Sequence, residues 1–378
     1  MRHRAKPKAL PSDSVFEVNP LSHPALQQSD NSKIRPGKLL FAAVPAVGYT
    51  IQTGVTAIIA MNLSFYSGPA NTTNLSSIAL NPAYSLDHHQ FLLPVIFNVW
   101  TKDNKLNLVG DWRYYKYPTY TYGLGGHTTL SDADLVDYSY SRIYQEVLKQ
   151  IASSYFYAGM GYNMDYHWNI KEEGTGTDFA AYNGNAKKTM SSGLSLNLIY
   201  DSRKNLNYPE NAFYGNFAYR NNSTLLGSNQ NWQSVQLEFK KHIKFPQNSD
   251  NVLAFWNLNW FTFGGKPPYF DLPSTGWDSY SNTGRGYIQG RLRGPGMLYL
   301  ESEYRFRITQ NGLLGGVIFG NAESVSELQS KRFETILPGA GFGIRIKLNK
   351  YSKANVAIDY GFGTEGSQGL FFNVSEVF

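Results

Sequence analysis

The sequence predicts an all-β fold: a single antiparallel β-barrel of about 16 strands that crosses a membrane. One stretch carries most of that expectation. Read at period two over 297–308, Leu298, Leu300, Tyr304, Phe306 and Ile308 fall on one face with Ser302, and Tyr299, Glu301, Glu303, Arg305 and Arg307 on the other. Four successive charges on one face have no place in a dry core unless paired, whereas a wall with lipid on one side and water on the other calls for that split. Similar alternation recurs almost to the end of the chain, in segments near the roughly ten residues a tilted strand needs to cross a bilayer. Composition agrees. Aromatic residues reach 15% and charged residues only 16%, mean hydropathy is −0.36, and no apolar run reaches the about 18 residues of a spanning helix. A soluble Tyr-rich sandwich or barrel is the competing reading, but so many strands would normally break into domains with linkers.

Residues 1–37 are polar and begin with Arg2, Arg4, Lys6 and Lys8, which reads as a loosely attached tail. No apolar stretch of about 7–15 residues follows those charges, so a secretory leader is expected upstream of Met1 or already removed. Residues 38–378 read as one barrel unit. Phe41–Thr50 contains Pro45, which cannot donate to a ladder and marks an edge or weak-seam strand. Strands are then expected over 54–66, 74–83, 89–100, 105–115, 137–151 and 154–170, with a connection at 117–126 and a Gly/Asn-rich mobile loop at 172–187. The second half alternates more cleanly, at 190–203, 211–221, 232–245 and 251–263, where Trp256, Leu258 and Trp260 oppose Asn257 and Asn259. A long loop rich in Gly, Pro, Ser and Tyr (264–295) leads into 297–308, followed by 312–321, 339–348, 355–362 and 370–378.

There is no Cys, which excludes a disulfide scaffold, thiolate catalysis and Cys-ligated metal. The net charge of +6 is scattered rather than gathered on one face, so nucleic acid is not an expected partner. Asp87-His88-His89 reads as a polar turn, because adjacent strand residues point to opposite faces and no third ligand is spaced to join them. Neither a Gly-x-Ser-x-Gly elbow nor a phosphate loop is present. No enzymatic activity, metal or cofactor is expected.

At Arg285-Gly286-Tyr287 the sequence resembles the BamA/TamA superfamily of outer-membrane barrels, also called the bacterial surface antigen family. That family carries an Arg-Gly-Tyr/Phe tip on a long extracellular loop folded into the lumen, and its Ser-x-Glu segment is similar to Ser302-Glu303-Tyr304-Arg305 with Glu301 before it. Asp201-Ser202-Arg203 with Pro209 and Gly215, Gly343-Ile344-Arg345 with Asp359-Tyr360-Gly361, and the ending Gly369–Phe378 agree. The resemblance implies that Arg285 pairs with Glu303 on the wall, that Arg285, Gly286 and Tyr287 form a lumen lid, and that Phe372, Val374 and Phe378 form a C-terminal insertion signal. At the family's second carboxylate position stands Asn321, so the lid is expected to lean on Glu303 alone or on Glu323. Glu376 falls in phase with Phe372, Val374 and Phe378.

The family's upstream POTRA modules have no counterpart in a 37-residue polar segment. What the resemblance then implies is a non-enzymatic, POTRA-less barrel integral to a bacterial outer membrane. It would act in outer-membrane protein assembly, polypeptide translocation or lipid organisation. Its partners would be outer-membrane lipids, client barrel proteins or other envelope assembly subunits. A passive pore or adaptor barrel is the alternative, and an outer-membrane hydrolase a third.

Overall fold

Alternation sets strand register as well as strand identity, because a one-residue slip would carry every side chain to the wrong face. The computed structural model describes residues 36–378 except 51–53, 87–88, 175–176, 185, 204–207, 279–280, 348–352, 354 and 375. Eighteen strands of the described residues join one sheet. They are β1 (Leu40–Thr50), β2 (Gly54–Phe65), β3 (Ser76–Leu80), β4 (Ala83–Ser85), β5 (Phe91–Trp100), β6 (Leu106–Lys116), β7 (Thr119–Thr121), β8 (Asp134–Gln150) and β9 (Phe156–Glu172). After them come β10 (Lys188–Asp201), β11 (Ala212–Asn222), β12 (Trp232–Lys244), β13 (Val252–Phe263), β14 (Gly296–Arg307), β15 (Leu314–Val325), β16 (Leu337–Lys347), β17 (Asn355–Phe362) and β18 (Gln368–Val374). β3 and β4 share one place between β2 and β5, and β6 and β7 pair with one edge of β8. The strands therefore occupy sixteen rows of an antiparallel meander. No ladder between β1 and β18 is among the described pairings.

The meander has a covered face and a bare face. Segment 264–295 and residues 376–378 lie on the covered one. There β14 buries Tyr299, Glu301, Glu303 and Arg305, and β10 buries Ser191, Ser195 and Asn197. The bare face shows Leu194, Leu196, Leu198, Leu300, Ile318, Phe342 and Ile344, all exposed. An antiparallel wall that is polar on its covered face and apolar on its bare one is the inverse of a soluble sheet, which hides its apolar side.

Five elements differ from the sequence reading. On β13 the expected orientation is reversed: Trp256 and Leu258 are buried on the covered face in an apolar cluster with Tyr287, Leu292 and Phe378. Asn257 and Asn259 stand on the bare side, in register with Leu300 and Leu298. Alternation marks two faces but cannot say which one a distant loop will cover. Segment 172–187, expected as a loop, contains the helix α1 (Thr177–Asn183). Its Phe179 and Tyr182 pack on Tyr269 and Phe270, so tertiary burial rather than propensity holds so short a helix. The connection 117–126 contains β7, and β15 runs four residues past its expected end to Val325. The last strand stops at Val374 instead of running to Phe378. Of the Asp87-His88-His89 turn, residues 87–88 lie outside the described residues.

Candidate functional site

Segment 264–295 has a short turn at Tyr269–Asp271, isolated bridges from Arg293 to Ser274 and to Gly125, and backbone hydrogen bonds of its own, among them Thr275 N–H to Leu292 O and Gly290 N–H to Thr275 O; side chains add to this order. Asp278 Oδ1 accepts from the backbone N–H of Asn282 and Thr283, at 3.0 and 2.9 Å, closing the loop just before its tip. Thr275 Oγ1 donates to Glu323 Oε1 of β15 at 2.7 Å, and Ser191 Oγ of β10 donates to Asp271 Oδ2 at 2.5 Å. The loop is thus tied to two rows of the wall five places apart, β15 and β10.

The tip is Gly284-Arg285-Gly286-Tyr287. Gly286 has φ 110°, a backbone state that side-chain-bearing residues rarely adopt, and a Cβ there would lie 2.7 Å from the Phe362 carbonyl oxygen. The wall is bare of side chains at the same spot. A Cβ on Gly361 would stand 2.6 Å from Gly286 N, one on Gly339 would meet Arg285 O at 3.0 Å, and one on Gly363 the Tyr287 ring at 2.5 Å. Main chain docks on main chain. Tyr287 then fixes the depth: its hydroxyl donates to Pro338 O at 2.6 Å and accepts from Thr364 N at 3.0 Å.

This docking delivers the Arg285 guanidinium to β14 and β17. Nη1 donates to Asp359 Oδ2 at 2.6 Å. Nη2 donates to Glu303 Oε2 at 2.5 Å and also to Glu301 Oε1. The side chains of all four are essentially sealed, with 1% exposure for Arg285 and 0% for each carboxylate. Below the plane, Arg285 Cζ lies 3.8 Å from the Phe319 ring centroid. Neighbouring cations pair with the same acids: Arg305 Nη2 lies 2.5 Å from Glu303 Oε1, and Arg345 Nη1 lies 2.5 Å from Asp359 Oδ1. Glu376 joins through Arg345 Nε at 2.7 Å and Arg305 Nε at 3.5 Å. Three arginines thus interleave with four carboxylates, the arrangement that low-polarity burial of charge requires.

Compared with the sequence expectations, Glu303 does meet Arg285, but as one of three carboxylates. Glu301 and Asp359 were missed as partners, although Glu301 sits two residues before Glu303 on the same face. Asn321 reaches the tip through its amide, which donates to Arg285 O at 2.9 Å, rather than through the guanidinium. Glu323 does not substitute for it and is held by Thr275. Phe378 does not continue β18 on the apolar face. It turns onto the covered face, its ring 5.3 Å from Trp256 and its main-chain oxygen accepting from Arg305 Nη2 at 2.6 Å. Asn282 Nδ2 of the loop donates to Val377 O at 2.8 Å. Glu376 is buried in the ion cluster, so its phase with the apolar face is broken where the strand ends. Arg305 and the loop amide supply the physical reason. The side chains of Phe372 and Val374 lie outside the described residues. Pro45 is exposed on β1 opposite Ile59. Arg203 and Asp201 form a local fork, with both bonds 2.9 Å.

A second network, unannounced by any motif, lies on β6, β8, β9 and β11. Asp165 accepts from the Tyr140 and Tyr144 hydroxyls at 2.6 and 2.5 Å, from Arg142 Nε at 3.2 Å and from Arg220 Nη1 at 2.7 Å. Asp111 holds Arg113 through two bonds of 2.6 and 2.7 Å. Beside it His167, Ser191 and Asp271 come together, but the serine hydroxyl donates to the carboxylate, and His167 Nδ1 is 3.9 Å from Asp271. A Ser-His-Asp triad needs the imidazole, not the carboxylate, on the hydroxyl.

Comparison with solved structures places this architecture. The chain superposes on BamA from Haemophilus ducreyi lacking POTRA domains 1–3 with a TM-score of 0.56 and 15% identity, covering 88% of this chain and 69% of that one. It superposes on CdiB from Acinetobacter baumannii with a TM-score of 0.54 and 13% identity, covering 87% of this chain and 56% of that one, so it spans little more than half of CdiB. No family model matches the sequence, and no curated protein does. The shared property is the fold: an all-β, antiparallel sheet like those of outer-membrane barrels.

Proposed function

We propose that the sixteen rows close, first against last, into a barrel set in a bacterial outer membrane, with segment 264–295 as an internal plug. In this reading the bare face is the lipid-facing wall, and the chain is a non-enzymatic barrel of the assembly or translocation type that its sequence resembles. Its partners are outer-membrane lipids together with client barrels or envelope assembly subunits. One observation carries the reading: a loop arginine is sealed among carboxylates from two separate strands, which fastens the loop across the covered face. A loop that served only as a surface connection would leave its charge in water.

The seam follows from strand lengths. β1 has eleven residues and β18 seven, and β1 carries Pro45, so the closing ladder is short and easily parted. Planar-bilayer conductance of the refolded protein, wild type beside Arg285→Ala, tests the plug. A small flickering current that grows in the variant supports it. A large, steady current that ignores the substitution sinks the plug and favours a passive pore or adaptor barrel.

A further inference from the structure

On the bare face of β13, Asn257 and Asn259 stand where the flanking rows present hydrocarbon. Asn257 lies opposite Phe239 and Leu300, and Asn259 opposite Leu237 and Leu298. Leu300 and Phe255 beside them are exposed. Both asparagines sit near the middle of a twelve-residue strand, and therefore near mid-height of the wall. Their amides form a short relay: Asn259 Nδ2 donates to Asn257 Oδ1 at 2.6 Å, and Asn257 Nδ2 donates to Tyr299 O at 3.0 Å. The relay ends at Asn259. Its Oδ1 and second N–H enter none of the described hydrogen bonds, and both half-exposed amides face outward. A polar group at this depth is costly unless another surface receives it, and within a membrane such groups bind neighbouring proteins together.

We propose that this face of β12–β14 is the contact between two copies of the chain, related by a twofold axis passing beside Asn259. The proposal rests on the membrane-barrel reading. Two features select a second copy as the occupant. Copies inserted with the same orientation place the same residue at the same depth, so Asn259 of one meets Asn259 of the other without a partner having to supply a polar group there. A carboxamide is also its own complement, since each presents one acceptor and a spare N–H. Two of them close a pair of reciprocal hydrogen bonds, the self-matching contact that twofold symmetry demands. Leu237, Leu298 and Leu300 supply the apolar ring around that pair.

The chain has no Cys, so single-cysteine variants report cleanly. Asn259→Cys in native membranes, treated with a bilayer-permeant oxidant, is expected to give a disulfide-linked dimer. Leu196→Cys, on the bare face of β10, is expected to stay monomeric. Leu300→Cys reads the same contact without touching the amide, and adding Asn259→Leu is expected to lower its cross-linked fraction about tenfold, the scale of a membrane hydrogen-bond pair. Heat-modifiable electrophoretic mobility shows that each variant is folded. If the thiols of Asn259→Cys and of Leu300→Cys, which keeps the amide, are both shielded from a water-soluble maleimide yet neither cross-links, or both link only to a different protein, the second copy is overturned while the barrel stands. Free labelling of those thiols by the same reagent in intact membranes overturns the lipid-facing wall, and the contact with it.

Discussion

Replacing Arg285 by Ala removes one side chain but does not treat its three partners alike. Glu303 keeps Arg305 at 2.5 Å, and Asp359 keeps Arg345 at 2.5 Å. Among the described residues Glu301 keeps only the Tyr299 hydroxyl, and it is fully buried. The loss therefore concentrates on one orphaned carboxylate, for which breaking a buried ion pair costs about 3–5 kcal/mol. The cation over Phe319 adds about 0.5–2 kcal/mol. All of it falls on the docked loop, whose population relative to the undocked one should drop by a factor on the order of 10² to 10⁵. Limited proteolysis within 264–295 reads that ratio directly, with slow cleavage in the wild type and rapid cleavage in the variant. The orphaned charge can be isolated as the cause. Glu301→Gln placed on top of Arg285→Ala removes it and should recover part of the protection, whereas Glu303→Gln on the same background should recover less. Cleavage of Arg285→Ala at the wild-type rate, or equal recovery from both second substitutions, would refute this account.

Other expectations are narrower. Gly286→Ala should loosen the tip by at least about 1–3 kcal/mol through backbone strain, with the close approach of the new Cβ to the Phe362 carbonyl oxygen adding to it, read by the same proteolysis and without loss of any charged group. Asp165→Asn keeps the volume but removes the carboxylate paired with Arg220 and leaves Arg142 with Asp111, at 3.4 Å. A cost of about 3–5 kcal/mol should lower the unfolding midpoint in detergent, while loop cleavage in 264–295 stays near wild type. Phe378→Ala removes the ring packed on Trp256 and should release residues 376–378 from the wall, seen as faster carboxypeptidase trimming. Paired cysteines on β1 and β18 test the seam: full function in vivo with the pair locked would mean that lateral opening is not required.

The rows of the meander were legible because each carries its own alternation, and the loop tip because Arg285-Gly286-Tyr287 stands out from a Gly- and Pro-rich stretch. What escaped depends on pairs of places far apart in the chain. Asp359 meets Arg285 only after β14–β17 have assembled, and nothing near residue 359 announces a loop 74 residues upstream. Trp256 and Leu258 looked outward because hydrocarbon at period two usually does in such a wall. They turn inward because Tyr287, Leu292 and Phe378 arrive to cover them. The ending at Phe378 looked like strand for the same reason: its apolar rhythm continues, but Arg305 and Asn282 take the backbone away from the ladder. The Asp165 network had no signal beyond tyrosines and arginines spaced at two along β8, since its members are drawn from four strands.

The landing site of the tip, where Gly339, Gly361 and Gly363 face Arg285, Gly286 and Tyr287 in turn, has a consequence for how this protein can vary. Charged pairs can drift by exchange, since a lost acid on one strand can be replaced from the next. A vacancy has no such latitude: no residue is smaller than glycine, so every substitution at these positions changes the surface in the same direction. In a saturation library the docking surface should therefore appear as a cluster of positions intolerant even of alanine, sitting beside an ion network that accepts several rearrangements. Constraint would be tightest where the chain presents no side chain at all.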